Sequence, residues 1–280
     1  MDYSIANPDA NILRDGKTAS TKSILYFVGC MSSYRTKSIA KATKKILDAT
    51  GTDYTTLGSE EKCCGSVLLR TGQVDEAKDL AKGNIEMIRS KGVTTVLASC
   101  PGCYLAFTHD YPSLVGKLGV KTIHTTEFLE KLMIEGRLPI TGIPWKATYK
   151  NGRFSTGGFP LKATYHDPCH LGRWSGIYDP PRNILKSIPQ LELVEMFFNR
   201  ADAWCCGAGA GVMSLSGEYA KAIASERLNQ ADKTGARAVV SACPFCKYNF
   251  EQAAKGREKT MEVYDVVEVV ASAIESGGRK

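Results

Sequence analysis

Ten cysteines in 280 residues fall into one five-member series that occurs twice, and that repeat constrains the chain more than any other feature. The first series runs Cys30, the adjacent pair Cys63–Cys64, then Cys100 and Cys103; the second runs Cys169, the pair Cys205–Cys206, then Cys243 and Cys246. The intervening stretches are 32 and 35 residues in the first half and 35 and 36 in the second, and each half closes on C-x-x-C. No cysteine is left over. The surroundings repeat too: VTTVLASCPGCYLAF, from Val93 to Phe107, matches ARAVVSACPFCKYNF, from Ala236 to Phe250. An internal duplication explains this better than chance.

The duplication sets the expected organisation. An N-terminal arm over 1–22 precedes a first repeat over 23–138. A Gly- and Pro-rich linker over 139–161, with the hairpin-like YKNGRF, leads to a second repeat over 162–280. Within each repeat, strand and helix patterns alternate. ILYFV, from Ile24 to Val28, is an apolar run suited to a strand buried on both faces. Ile39, Ala42, Ile46 and Leu47 then recur at helical spacing, as do Val74, Ala77, Ala81 and Ile88 after the first pair. TTVLA (94–98) reads as another strand. In the second repeat KATYH (162–166), a helix over 217–233 and ARAVVSA (236–242) play the same parts. The fold class expected is α/β: two tandem pseudo-symmetric, Rossmann-like half-domains. Every cysteine group then lies at a strand's C-terminal end or in a loop before a helix, the sheet edge where ligands gather in such folds. Free amides and dipoles of helix N-termini favour thiolates there.

Composition narrows the classes. Hydrophobic content of 43% and charged content of 23% are globular values. No apolar run reaches the roughly 18 residues of a membrane span, and the polar start MDYSIANPDANILRDGKTASTKS has no signal-peptide core. A cytoplasmic location is the expectation, and ten cysteines there argue for metal or redox use rather than a disulfide framework. The formal charge of +7 counts each cysteine as neutral. Ten thiolates on two iron–sulfur cores would contribute roughly −6 and nearly cancel it, so the basic balance is not a nucleic-acid footprint.

Structural zinc takes four ligands, commonly from two C-x-x-C-type knuckles, whereas each half offers five cysteines, one such motif and dispersed spacing. A thioredoxin-like C-x-x-C explains Cys100/Cys103 or Cys243/Cys246 and leaves both adjacent pairs unexplained. Iron–sulfur clusters fit best, since thiolates are their usual ligands. A cubane takes four cysteines; a fifth, with two adjacent, points to a different geometry.

The strings FVGCMSSYR, KCCGS, SCPGCY, YHDPCHLGR, WCCGAG and ACPFC resemble the cysteine-rich CCG domain, which defines the catalytic subunits of heterodisulfide reductase and related iron–sulfur oxidoreductases. The resemblance spans about Ile24 to Val270 and is strongest to the B-type subunit or the similar part of the D-type subunit. It implies two noncubane [4Fe–4S] clusters. Cys30, Cys63, Cys64, Cys100 and Cys103 would hold one, and Cys169, Cys205, Cys206, Cys243 and Cys246 the other. It implies reduction of the coenzyme M–coenzyme B mixed disulfide. D-type relatives carry a ferredoxin-like segment not found in this sequence, so the implied donor is a separate ferredoxin-like C-type subunit, fed by a flavin-containing A-type subunit or a membrane cytochrome. An electron-transfer role in lactate, glycerol-phosphate or sulfur metabolism is the alternative.

Beside the ligands, His166 and His170 flank Cys169. Either could donate to a cluster sulfur or protonate a departing thiolate, and His170, next to the ligand, is the preferred catalytic candidate. Arg35 and Arg173, each shortly after its repeat's first cysteine, are candidates for the substrate's anionic groups, against a solvated surface role. Asp167–Pro168 reads as turn chemistry. GAGAG, from Gly207 to Gly211, lacks the context of a dinucleotide loop and is better explained by close backbone packing around a cluster. GSVLLR stands at that place in the first repeat, so the two sites are expected to be unequal. Trp204 reads as core or cluster shielding.

Overall fold

A computed structural model of the chain describes residues 23–141, 147–150, 153–156, 162–255, 257 and 261–274. The arm expected over 1–22 lies outside them. The first half runs β1 (Ile24–Phe27), α1 (Cys30–Tyr34), α2 (Lys37–Ala49), β2 (Tyr54–Thr55), α3 (Ser66–Arg70), α4 (Val74–Ser90), β3 (Thr95–Ala98) and α5 (Pro101–Leu105). A π-helical turn, Ala106–Asp110, joins α5 to α6 (Tyr111–Leu114), and β4 (Lys121–His124) with α7 (Thr125–Ile134) completes it. An antiparallel pair, β5 (Ala147–Lys150) and β6 (Arg153–Thr156), lies between the halves. The second half runs β7 (Lys162–His166), α8 (Asp179–Ser187), β8 (Glu192–Val194), α9 (Val212–Leu215), α10 (Gly217–Asp232), β9 (Ala238–Ser241), α11 (Pro244–Ala254), β10 (Glu262–Asp265) and α12 (Val266–Ala273).

Each half is a parallel four-stranded sheet with flanking helices, ordered β2-β1-β3-β4 in the first and β8-β7-β9-β10 in the second. The α/β class and the two matching half-domains are as the sequence led us to expect. From β1 the chain moves outward to β2, then returns past β1 to β3. The winding therefore reverses between β1 and β3, and between β7 and β9. The crevice beyond the strand ends at such a reversal is where open α/β sheets bind ligands. Cys30 follows β1, Cys100 follows β3, Cys169 follows β7 and Cys243 follows β9.

The central strands are buried on both faces: Leu25, Tyr26, Val96, Leu97, Ala163, Tyr165, Val239 and Val240 are all nearly inaccessible. The halves are joined by one core. α2 packs on α12 and α7 on α8, so Ile39 and Ile46 share a cluster with Val266, Val270, Leu129 and Ile184. Thr141 also donates its amide to Ala273 O at 3.0 Å, tying the end of one half to the end of the other. Burial on this scale, at about 25 cal/mol per Å2 of apolar surface, holds the two sheet edges in a fixed relation. Among the described residues, no helix is long and apolar enough to cross a membrane.

Candidate metal centre

All ten cysteines line one cavity between the halves. None of them forms a disulfide; Cys64, Cys100, Cys103, Cys206, Cys243 and Cys246 are buried, and Cys205 is exposed. The series from the two repeats thus face each other across shared space.

Local structure explains each placement. Gly29, at φ 79°, turns the chain from β1 into α1, and a Cβ there would stand 3.3 Å from Cys103 Sγ. Cys100 and Cys243 cap α5 and α11, each followed by a proline in the first helical turn, where its missing N–H costs nothing. The adjacent pairs are pinned through their carbonyls. Asn84 donates to Cys63 O at 2.9 Å, Tyr111 to Cys64 O at 3.0 Å, and Asn249 to Cys206 O at 2.7 Å.

A buried carboxylate fastens the first cysteine loop to the pair loop in each half, from opposite ends. Glu61 reaches back from the pair loop and accepts from Val28 N at 3.0 Å and Gly29 N at 2.7 Å. Asp167, beside Cys169, reaches forward to Arg200 N at 2.7 Å and pairs with Arg182 at 2.6 Å. Asp167 is 3% exposed, so its role is this anchor rather than turn chemistry, because Arg182 supplies a buried partner for its charge.

The sulfurs crowd one another, and their proton affinities split apart. Cys30 and Cys64 hydrogen-bond to Cys63 and push it down to about 3; Cys169 and Cys206 do the same to Cys205, down to about 2. Gly65 N and Gly207 N donate to the same two sulfurs at 3.4 and 3.3 Å. The neighbours shift in the opposite direction: Cys30 and Cys169 are pushed up, first by their hydrogen bonds to Cys63 and Cys205. Five crowded thiols, three of them buried in each set, can all ionise only if a multivalent cation compensates them. The donor sets therefore fit a cationic thiolate-ligated group in each half.

Among the other expected residues, His170 lines the cavity. It reaches across from the second half, so that a Cβ on Gly102, inside the first C-x-x-C, would lie 3.6 Å from His170 Nδ1 and from Cys100 Sγ. Burial first, then Arg70, hold its pKa below the ordinary value, so the ring is neutral. Phe245 takes the place of Gly102 in the second C-x-x-C and packs against the cores of both halves. Arg35 does not line the cavity; it is exposed, with its guanidinium 5.9 Å from the Tyr248 ring. Arg173 is also outside, donating to Ala201 O at 3.0 Å and clamping Ala203 O at 2.6 Å. It braces the loop that leads to Cys205. Trp204 is 46% exposed and stacks on Phe198 at 5.5 Å, so it is not core: the loop carrying it runs along the surface. Gly207, at φ 82°, is required by α10, since a Cβ would stand 2.8 Å from Ala220 O, and Gly211 is required by Thr71 of the first half.

The cationic residue that sequence reasoning missed is Arg70, the last residue of GSVLLR. It lines the cavity and is held by both oxygens of Asp110, at 2.9 and 3.3 Å. The signal was the inequality of the two pair loops: counted from the adjacent pair, Arg70 corresponds to Val212.

The family model described as the cysteine-rich domain CCG matches residues 24–108 and 163–251. The chain is 41% identical over 264 residues to the D-type subunit of a dihydromethanophenazine:CoB–CoM heterodisulfide reductase from Methanosarcina acetivorans, covering 93% of this chain and 61% of that one. It is 33% identical to an EtfAB:quinone oxidoreductase of Syntrophomonas wolfei, covering 90% and 34%. Against the B-type subunit of a fumarate reductase (CoM/CoB) from Methanothermobacter marburgensis it is 31% identical, covering 88% and 46%. The chain thus spans about three fifths or less of the length of these relatives.

Proposed function

This chain belongs to the cysteine-rich CCG domain family, and on that premise we propose that it is an iron–sulfur oxidoreductase subunit that reduces a mixed disulfide. Each five-cysteine set would hold one noncubane [4Fe–4S] cluster, with Cys30, Cys63, Cys64, Cys100 and Cys103 in the first and Cys169, Cys205, Cys206, Cys243 and Cys246 in the second. The observation that carries the reading is the convergence of both sets on one cavity.

Breaking a disulfide takes two electrons and two protons and yields two thiols, one from each sulfur. Clusters held by the two cysteine sets would supply these electrons singly. The chain's own residues do the rest. His170, neutral and reaching across the gap, can hold a proton at a ring nitrogen beside the departing sulfur. Arg70, fixed by Asp110, offers its remaining N–H edge to an anionic arm of the substrate. The coenzyme M–coenzyme B disulfide is the substrate proposed, by likeness to the relatives named as D-type heterodisulfide reductase subunits. The donor proposed is the one the sequence resemblance implies, a separate ferredoxin-like iron–sulfur protein and, through it, a flavin-containing one.

A second reading, electron transfer within another oxidoreductase, is favoured by the relatives named for quinone and fumarate. One assay separates them. The chain, loaded with iron and sulfide without oxygen, is given a reduced viologen and the coenzyme M–coenzyme B disulfide, and thiols are counted. Two thiols per disulfide are expected. Arg70→Met paired with Asp110→Asn should raise KM by about tenfold or more, the worth of one charge-assisted hydrogen bond, with a smaller change in kcat. No thiol release, with viologen electrons passing to another acceptor, favours the second reading.

A further inference from the structure

The two halves place different rings in the same slot. Phe27 ends β1 and pairs with Ala98, while His166 ends β7 and pairs with Ser241. Each meets a matching phenylalanine edge to face: Phe27 meets Phe107 at 4.8 Å, and His166 meets Phe250 at 4.9 Å. One half thus has a hydrocarbon ring where the other has an imidazole.

A second exchange accompanies the first. Gly65 packs on Ala77 and Gly207 on Ala220, which aligns α4 with α10. Seven residues further on, Asn84 corresponds to Arg227. Asn84 holds the carbonyl of Cys63. In the second half Asn249, from a different helix, holds the carbonyl of Cys206, as Tyr111 holds that of Cys64 in the first, and position 227 carries an arginine with other partners. Arg227, 1% exposed, donates from Nε to His166 Nδ1 at 3.2 Å and from Nη1 to Phe198 O at 2.9 Å.

Arginine has donors and no acceptor. Its Nε–H makes Nδ1 the acceptor, and a neutral imidazole then carries its proton on Nε2. That Nε2 is buried and has no hydrogen-bond partner among the described residues. A ring nitrogen of His166 and the sulfurs of Cys206 and Cys246 lie within 4.8 Å of one another. With Nδ1 committed to Arg227, the group left to serve the sulfur side is Nε2–H. His166 is then a donor toward that site and not a ligand in it.

We propose that His166, oriented by Arg227, is a positioning residue whose Nε2–H, together with the buried guanidinium charge, gives the second-repeat cluster a higher reduction potential than the first. The inference rests on the reading that both sets hold clusters. Its cause is electrostatic. An added electron makes a cluster and its thiolates more negative, so an N–H donor and a nearby cation stabilise the reduced form. The first site has instead Phe27, the uncharged Asn84 and the buried Glu61, while its Arg70 is neutralised by Asp110. The second site's own buried acid, Asp167, is neutralised by Arg182. Exposure of Cys205 acts in the same direction, because water also favours the more negative form. The first electron delivered to the chain therefore rests on the second repeat.

The test is a redox titration of the loaded full chain against dithionite, followed by EPR at each step, with iron measured on every variant. The wild type should reduce in two separate steps. His166→Phe and Arg227→Asn, which copy the first repeat, should each move the higher step down toward the lower one, leaving the lower step and the iron content unchanged. His166→Gln, which keeps an N–H donor, and Arg227→Lys, which keeps the charge, should restore much of the shift. A higher step that stays in place, an equal movement of both steps, or one unresolved wild-type step overturns the inference. Loss of iron in His166→Phe and His166→Gln alike would make His166 a ligand and overturn it as well. A wild-type chain that takes up no iron overturns instead the reading on which it rests.

Discussion

Arg182 is 2% exposed and still charged, because all its N–H groups are used. It meets Asp167 at 2.6 and 2.8 Å, Glu195 at 2.7 and 3.0 Å, and Tyr178 O at 2.8 Å. Those partners raise its pKa despite burial. The pair is thus a joint in the fold as well as a buried charge: Asp167 also holds Arg200 N, and so ties the loop of Cys169 to the segment leading toward Cys205. Removing one partner of a buried pair leaves the other uncompensated, which costs about 3–5 kcal/mol. Arg182→Met should therefore lower the denaturant midpoint sharply, and adding Asp167→Asn should recover part of the loss. A cost below about 1 kcal/mol in the single variant would show that the pair is dispensable to the fold. None of this was legible in the sequence, where an Asp-Pro beside a cysteine looks like a turn. Its partner lies 15 residues away on a helix whose inner face only the tertiary structure defines.

At the scale of elements, the C-x-x-C loops are braced by caps on the neighbouring β–α units. His124 caps α7 in a capping box with Glu127 and reaches Ser99 O at 3.3 Å, immediately before Cys100. Asp265 caps α12 in the same way with Glu268. Burial pushes His124 down to about 3, so its neutral form is the one the fold accepts. The unfolded chain binds this proton below about pH 6.5, and the folded chain does not until far lower. Its contribution is therefore complete above that pH and is lost as pH falls. Between pH 7 and pH 5, wild type should lose about 2 kcal/mol more stability than His124→Asn, which keeps a capping side chain. Equal losses in urea titrations at the two pH values would contradict this. A second test lies at the pair loop. Gly207→Ala forces a left-handed backbone and a clash with α10, and should cost about 2 kcal/mol or more; an unchanged melting temperature would remove Gly207 from the account. The D-x-x-E of the second cap could have been read from sequence. The short edge strands β2 and β8 could not, since two or three residues carry no period.

At the scale of the molecule, duplication was the legible part. Ten cysteines at matching spacing assign five to each repeat. The alternation of apolar runs and helical stripes gave the central strands and α2, α4 and α10 to within a residue or two. What the chain does with its two halves was not legible. Cysteine spacing cannot say that both sheet edges open on one cavity, that His170 crosses to Gly102, or that Arg70 faces inward while Arg35 and Arg173 do not. Those facts depend on helix packing between halves, above all α2 on α12 and α7 on α8, which involves ordinary aliphatic side chains with no signature of their own. The central claim is that each set is a complete and separate seat for one cluster. It is tested most directly by counting iron and acid-labile sulfide per chain after anaerobic loading, in wild type and in chains with serines at Cys63–Cys64 or at Cys205–Cys206. Two independent seats predict roughly eight irons in wild type and roughly four in either variant. Roughly four in wild type, or a complete loss from either single-set variant, would contradict the claim.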